Sequence, residues 1–172
     1  MRDARISPDG KEIVFCYKGD IYKVNANGGK AIQLTTQDSY ESTPIWSPDG
    51  KQIAFASDRR GSLDVFIMNS DGGEAKRLTT LSSSEIPSAF TPDGKYVLFS
   101  SAIQDPAESA LFPSGVMTEL YKVPVSGGRI EQILATPAEM VAYSDKGDFF
   151  LYQDRKGFED EWRKHHTSSV TR

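Results

Sequence analysis

The sequence Ser47-Pro48-Asp49-Gly50-Lys51 occurs three times in this chain with little change. Ser7-Pro8-Asp9-Gly10-Lys11 precedes it, Thr91-Pro92-Asp93-Gly94-Lys95 follows it, and an altered fourth copy is Ser144-Asp145-Lys146-Gly147-Asp148. Proline presets φ at the second position of a type I turn, aspartate suits the third, and glycine takes the left-handed position that follows. Because a short apolar run follows each copy, we predict that the motif joins two antiparallel strands.

A second turn signal follows each of the first three copies, as a pair of glycines at 28–29, 72–73 and 127–128. An aliphatic residue lies five positions beyond each pair, at Leu34, Leu78 and Ile133. The turn glycines of the first motif lie 40, 44 and 53 residues apart. Each repeat therefore predicts four short antiparallel strands, which is the blade of a β-propeller.

We predict an all-β chain that forms one partial propeller over residues 1–172 and belongs to a ring of six or seven blades. The expected blades cover about residues 4–36, 43–80 and 87–136, followed by an incomplete blade at 139–172. The altered turn in the fourth repeat weakens the turn signal there and leaves this fold assignment unchanged.

The repeat resembles the WD-like propeller repeat of TolB and of tricorn-type proteases. The more specific resemblance is to the amino-terminal propeller of bacterial tricorn-like serine peptidases. It implies a periplasmic or cell-envelope location, and a catalytic serine and histidine in a distant carboxy-terminal domain. The residues that carry the resemblance are Ile6 to Lys11, Tyr17 to Tyr22, Leu34-Thr35-Thr36, Phe112 to Gly115, Asp154 to Gly157 and Glu161 to Arg172.

Composition excludes several classes of function. The chain has 172 residues, 38% of them hydrophobic, and a formal net charge of −4, so it has no basic footprint for nucleic acid. No stretch has the roughly 18 consecutive apolar residues of a membrane span, and the amino terminus lacks an apolar signal core. The single cysteine, Cys16, lies in an apolar strand, where we expect a small buried hydrophobic residue rather than a reactive thiol.

Motifs for catalysis and cofactor binding are absent from the sequence. It contains no Gly-x-Ser-x-Gly elbow, phosphate loop, Cys-x-x-Cys pair or His-Glu-x-x-His helix, and we expect no cofactor. His165 and His166 are adjacent, so on a strand they point to opposite faces and make a poor metal site. Asp20, Asp64 and Glu119 precede the third strand of every repeat, and this repetition favours a structural role.

Loop lengths predict which side of the blades carries function. The turns within the first and last strand pairs are tight, whereas the loops between second and third strands vary in length and share a face with the blade-to-blade loops. On this face Arg59 and Arg60 could bind a carboxylate, such as a peptide terminus, or be solvated loop charges. Asp105, Leu111 and Phe112 could dock a peptide or partner domain, or pack on their own blade.

Three hypotheses for function remain at this point. The first is a non-catalytic segment of a tricorn-like peptidase that binds, filters or guides peptides. The second is a TolB-like protein interaction scaffold whose parent has no protease activity, and the third is a propeller enzyme such as a sugar lyase. The expected partners are peptides or protein domains, with no nucleic acid and no membrane insertion. An isolated arc of blades can also self-associate through its open ends.

Overall fold

The computed structural model describes residues 1–103, 118–134, 138–144 and 146–153, and within these ranges all regular structure is β. Three antiparallel sheets have four strands each and a fourth has two, in sequential order. The strands are β1 (Arg2–Ile6), β2 (Glu12–Tyr17), β3 (Asp20–Asn25) and β4 (Ile32–Gln33); β5 (Glu41–Trp46), β6 (Gln52–Arg60), β7 (Ser62–Asn69) and β8 (Lys76–Arg77); β9 (Glu85–Phe90), β10 (Tyr96–Ser101), β11 (Glu119–Pro124) and β12 (Glu131–Leu134); and β13 (Glu139–Tyr143) and β14 (Phe150–Gln153). The predicted all-β fold of four-stranded blades is confirmed.

The repeated Ser-Pro-Asp-Gly motif forms the turn between the first and second strands of each blade. In the first copy, the Gly10 N–H donates to the Ser7 carbonyl at 2.9 Å and glycine has a φ of +74°. The Asp9 carboxylate accepts from the Ser7 hydroxyl at 2.6 Å and from the Lys11 N–H at 3.1 Å. These two hydrogen bonds hold the pKa of Asp9 below its usual value.

The altered fourth copy keeps this turn geometry without proline. The Gly147 N–H donates to the Ser144 carbonyl at 2.9 Å, and the φ of Gly147 is +71°. The Ser144 hydroxyl donates to Asp148, which lies four residues after the serine. In the other copies the aspartate lies two residues after the serine or threonine. Proline is therefore not required for this turn.

The double glycines form the turns between third and fourth strands, as predicted. The first glycine of each pair donates its N–H to the residue three positions earlier, at 2.8–2.9 Å. Leu34 and Leu78 then donate to Ile21 and Val65 across the sheet, each at 2.8 Å. In the third blade a register shift inserts Ile133 into β12 as an extra residue, so Leu134 lies opposite Leu120.

The hydrophobic cores lie between blades. One cluster joins the first two blades and includes Val14 and Ile21 from one side and Phe55 and Phe66 from the other. A second joins blades two and three, and a third, smaller one joins blades three and four. Because side chains alternate along a strand, Phe55 packs toward blade one while its neighbour Ala54 packs toward blade three.

Hydrogen bonds between loops show which connections share one face. The Glu41 N–H, at the start of blade two, donates to the Gly19 carbonyl in the second-to-third-strand turn of blade one at 2.7 Å. The Ala138 N–H, before blade four, donates in the same way to Thr118 of blade three at 2.9 Å. The blade-to-blade loops therefore lie on the same side as the second-to-third-strand loops, as predicted.

Candidate functional site

The first strands of the four sheets lie side by side. β1 contacts β5, β5 contacts β9 and β9 contacts β13. Each of these strands is the edge strand of its sheet, with a paired neighbour on one side only. Together with the loops of the variable face, they enclose a cavity of about 1050 Å³. This cavity is the candidate binding site.

The cavity wall combines hydroxyl and aliphatic side chains. Its charged lining residues are Arg5 and Glu139, and the Glu139 carboxylate accepts a hydrogen bond from the Thr118 hydroxyl at 2.8 Å. Such a wall suits a largely uncharged, extended ligand with both polar and apolar groups. The hydroxyl side chains are those of Thr43, Ser82, Ser83, Ser84, Ser88, Ser100 and Thr118, and the aliphatic ones include Ile45, Leu81, Ile86, Ile103 and Val141.

The backbone of the first strands is distorted beside this cavity. Asp3, Thr43 and Met140 have positive φ angles of +53°, +48° and +49°, at equivalent places in β1, β5 and β13. In each of these strands the pairing register shifts at this position. A β-branched residue in the left-handed region is strained, and bulges turn strand groups in new directions. The Thr43 N–H points to the Asp3 carboxylate of the preceding blade at 3.4 Å.

The three acidic residues expected just before the third strands lie inside them, at the start of β3 and β11 and within β7. They have a structural role, as the repetition predicted. Each one bonds the fourth-strand side chain thirteen positions later. Asp20 accepts from Gln33 Nε2 at 3.0 Å, and Asp64 accepts from Arg77 at 2.8 Å. Glu119 accepts from Gln132 Nε2 at 2.8 Å. These side-chain pairs fasten the outer strand of each blade.

Arg59 binds a carboxylate within its own chain. Its guanidinium donates to Glu41 Oε1 and to the Ser57 hydroxyl, and lies 4.5 Å from the ring centre of Phe66. Glu41 is fully buried, so Arg59 balances an internal charge. The sequence analysis expected a peptide carboxylate or a solvated loop charge at this arginine, whereas Arg59 lies in β6 and the acid that it meets belongs to the protein.

Arg59 and Arg60 lie together in a second cavity, away from the first strands. This cavity, of about 880 Å³, lies between blades one and two and is also lined by Glu74, Lys76 and Arg77. Arg60 is exposed there. The other candidate residues, Asp105, Leu111 and Phe112, lie outside the described residues, as do His165 and His166.

Sequence reasoning missed the buried glutamates that begin the first strands. Glu41 and Glu85 are fully buried, and the equivalent position of blade four is Ala138, nine residues before Gly147. A signal was present, because Glu41 and Glu85 each lie nine residues before the turn glycine of their repeat. The serine-rich wall from Ser82 to Ser84 was also missed, since its position beside the first strands depends on contacts that are distant in sequence.

Cys16 is buried, as predicted, and its thiol has no disulfide partner. Burial is the main cause that raises the pKa of the thiol to about 12. In the described part of the chain no three His, Cys, Asp or Glu side chains gather closely enough to hold a metal ion. The same ranges contain no helix of a length and apolarity that would cross a bilayer.

The sheet order and the convergence of first strands define the chain as a β-propeller segment. Residues 1–172 match the family described as the tricorn protease N-terminal beta propeller domain. The chain belongs to this family.

Individual relatives agree with this assignment. Dipeptidyl-peptidase 5 of Porphyromonas gingivalis is 35% identical over 75 residues, which are 38% of this chain and 11% of that protein. The structure of a putative TolB from Agrobacterium tumefaciens superposes with a TM-score of 0.60 and 27% identity, over 75% of this chain and 47% of that one. The tricorn protease structure shares the fold, with a TM-score of 0.61 and 18% identity, over 81% of this chain and 18% of that one. The chain thus spans less than half the length of these relatives.

Proposed function

We propose that this chain is a non-catalytic propeller segment that binds extended peptides and guides them to a peptidase domain elsewhere in its parent protein. The observation that supports the proposal best is the cavity of about 1050 Å³ between the first strands and the variable-face loops. Its hydroxyl and aliphatic wall provides hydrogen-bonding groups and apolar contacts without a strong charge preference. Relationship to propellers of peptidases makes a peptide the natural occupant.

The strand edges beside the cavity give a physical basis for peptide binding. An edge strand presents N–H and C=O groups that are not paired within its own sheet. An extended peptide can pair with such groups through its main chain, while its side chains enter adjacent pockets. β5 and β9 are edge strands, and residues of both line the cavity. This mode of binding recognises the main chain of the peptide more than its side-chain sequence.

Binding can be tested with two matched serine variants. Ser84 is exposed in the cavity wall, and Ser126 is exposed in a double-glycine turn on the opposite face. In fluorescence anisotropy with a library of labelled, uncharged, unstructured peptides, we expect Ser84→Trp to raise Kd about tenfold or more. Ser126→Trp should leave Kd unchanged. No binding by the parent chain, or an equal effect of both variants, would contradict the proposal.

A TolB-like interaction scaffold is the second candidate. The 27% identity to a putative TolB over 75% of this chain favours it. The complete open reading frame distinguishes the two, because only the first hypothesis requires a peptidase domain after the propeller. We also propose a periplasmic or cell-envelope location by resemblance to TolB, and fractionation of cells that express the complete gene tests it.

A further inference from the structure

Two equivalent glutamates are fully buried at the starts of neighbouring blades. Glu41 begins β5 and Glu85 begins β9, and neither has any exposed surface. Moving an ionised carboxylate out of water costs several kcal/mol unless a cation or hydrogen-bond donors compensate it. The two sites can be compared directly, because they occupy the same position of the repeat.

Glu41 has a cation of its own. The Arg59 guanidinium donates to Glu41 Oε1, and the Ser39 hydroxyl donates to the same oxygen at 2.9 Å. Arg59 lies nine residues after the turn glycine Gly50, and the same position in the next blade is Ile103, nine residues after Gly94. Blade three therefore lacks the arginine that would balance Glu85.

Glu85 meets a second carboxyl instead. Its Oε2 accepts a hydrogen bond from the Thr79 hydroxyl at 2.7 Å, and its side chain contacts Asp64 of the preceding blade. Asp64 is also fully buried and pairs with Arg77 through Oδ1 at 2.8 Å. Glu85 Oε1 and Asp64 Oδ2 are buried and have no hydrogen-bond donor among the described residues.

The charges of this cluster do not balance if both acids are ionised. Within the described residues, the charged groups that act on Glu85 are Asp64 from β7 and Arg77 from β8. The β10 residue paired with Glu85 is the neutral Ser101. Among the described residues, one arginine therefore faces two buried carboxyls, Glu85 Oε1 and Asp64 Oδ2 lack a donor, and the buried Arg77 Nε lacks an acceptor. A single proton held between the carboxyls supplies both the missing charge and the missing hydrogen bond.

We propose that Asp64 and Glu85 share one proton at neutral pH, and that losing it loosens the junction between blades two and three beside the cavity. Burial, and then the hydrogen-bond contact and negative charge of Asp64, raise the pKa of Glu85 from 4.5 to about 8, against the opposing Thr79 hydrogen bond. The folded chain then binds one proton more than the unfolded chain between these two pH values. Stability contributed by this proton is complete below about pH 4.5 and is lost as pH rises through about 8.

The cluster is connected to the cavity wall through one short loop. Glu85 directly follows Ser82, Ser83 and Ser84, and the Ser83 hydroxyl bonds the Ser101 hydroxyl at 2.7 Å. A second negative charge beside Asp64 would repel it or draw in water, and either change displaces the start of β9. The cavity wall would therefore respond to pH in a range near neutrality.

Infrared spectroscopy tests the protonation state directly in the unaltered chain. At pH 6.5 we expect a C=O stretch of a protonated carboxylic acid, which disappears as pH rises through about 8 and is missing from Glu85→Gln. Glutamate labelled with ¹³C assigns the band to a glutamate by its isotope shift. Absence of this band at pH 6.5, or its persistence in Glu85→Gln, would overturn the proposal.

Urea unfolding at several pH values tests the effect on stability. The unfolding equilibrium constant of the parent chain should increase more than about tenfold between pH 5.5 and 8.5, and Glu85→Gln should reduce this increase strongly. Glu41→Gln is the matched control, because it alters the equivalent glutamate that already has an arginine. Its pH slope should equal that of the parent, and an equal slope in Glu85→Gln and the parent would contradict the proposal.

Discussion

Substituting the turn glycines should produce a graded loss of stability, because each turn packs on the turn of the preceding blade. Among the described residues, a β-carbon added at Gly10 would meet nothing within 4 Å, and one at Gly94 would lie 3.8 Å from Pro48 Cδ. At Gly147 the added atom would lie 2.7 Å from Pro92 Cγ, well inside van der Waals contact. All three glycines have φ angles of +69° to +74°.

The expected loss of stability at each glycine follows from two effects, backbone strain at positive φ and steric overlap with a neighbouring proline. An L-residue held in the left-handed region costs about 1–2 kcal/mol, and this cost applies to alanine at every turn. Forcing an extra carbon into a packed site adds about 1–3 kcal/mol, because the rigid Pro92 ring cannot rotate away. We therefore expect about 1–2 kcal/mol for Gly94→Ala and about 2–5 kcal/mol for Gly147→Ala.

Asparagine separates backbone strain from steric overlap. It tolerates the left-handed region better than alanine does, so Gly94→Asn should be more stable than Gly94→Ala. At Gly147 asparagine should give no such recovery, because its β-carbon meets Pro92 as alanine's does. The stability of the two Gly94 variants is measured by urea unfolding followed by circular dichroism. The stability of the two Gly147 variants is measured by hydrogen exchange in β13 and β14. Equal effects at both glycines, or full recovery with asparagine at Gly147, would refute the packing of turn on turn.

Three further predictions concern charge, association and activity. Arg59→Met should destabilise the chain by about 3–5 kcal/mol in urea unfolding, because it leaves Glu41 buried without its cation. Adding Glu41→Gln should recover much of this loss. No recovery would show that Arg59 acts by packing alone. The exposed Met140 and Leu151 should promote self-association of the 172-residue chain, measured by light scattering, and Leu151→Glu should reduce this self-association. A monomeric parent chain at micromolar concentration would contradict the prediction. The chain should hydrolyse no fluorogenic peptide, and turnover together with labelling of one serine by a serine-reactive probe would refute that expectation.

Features of the fold that depend on neighbouring residues could be predicted from sequence. The turns at Gly10, Gly50 and Gly94 follow from local backbone chemistry, so their spacing was enough to count strands and blades. Even the fourth turn could be recognised without its proline, because Gly147 still holds the left-handed position. The one-residue shift at Ile133 could not be predicted, since nothing local distinguishes a bulged residue from a paired one.

The candidate site depends on contacts between distant parts of the chain. The cavity exists because first strands from four repeats come together, and no short motif encodes that convergence. The sequence allowed either a carboxylate contact or a solvated charge at Arg59, and its partner Glu41 could be identified only once the strand register was known. The balance of charge at Glu85 depends on Asp64 from another blade. It also depends on Ile103, which lies at the position that Arg59 has in blade two.

The position of the cores between blades affects how the chain can fold. Every hydrophobic cluster in the described residues draws from two consecutive blades. A single blade therefore lacks a complete apolar interior, and the first cooperative unit is a pair of blades. The free energy resembles that of a one-dimensional array, in which interactions between neighbours couple units that are individually unstable. Nucleation can then occur at any pair and extend blade by blade, so the amino-terminal pair can form while later repeats are still being synthesised.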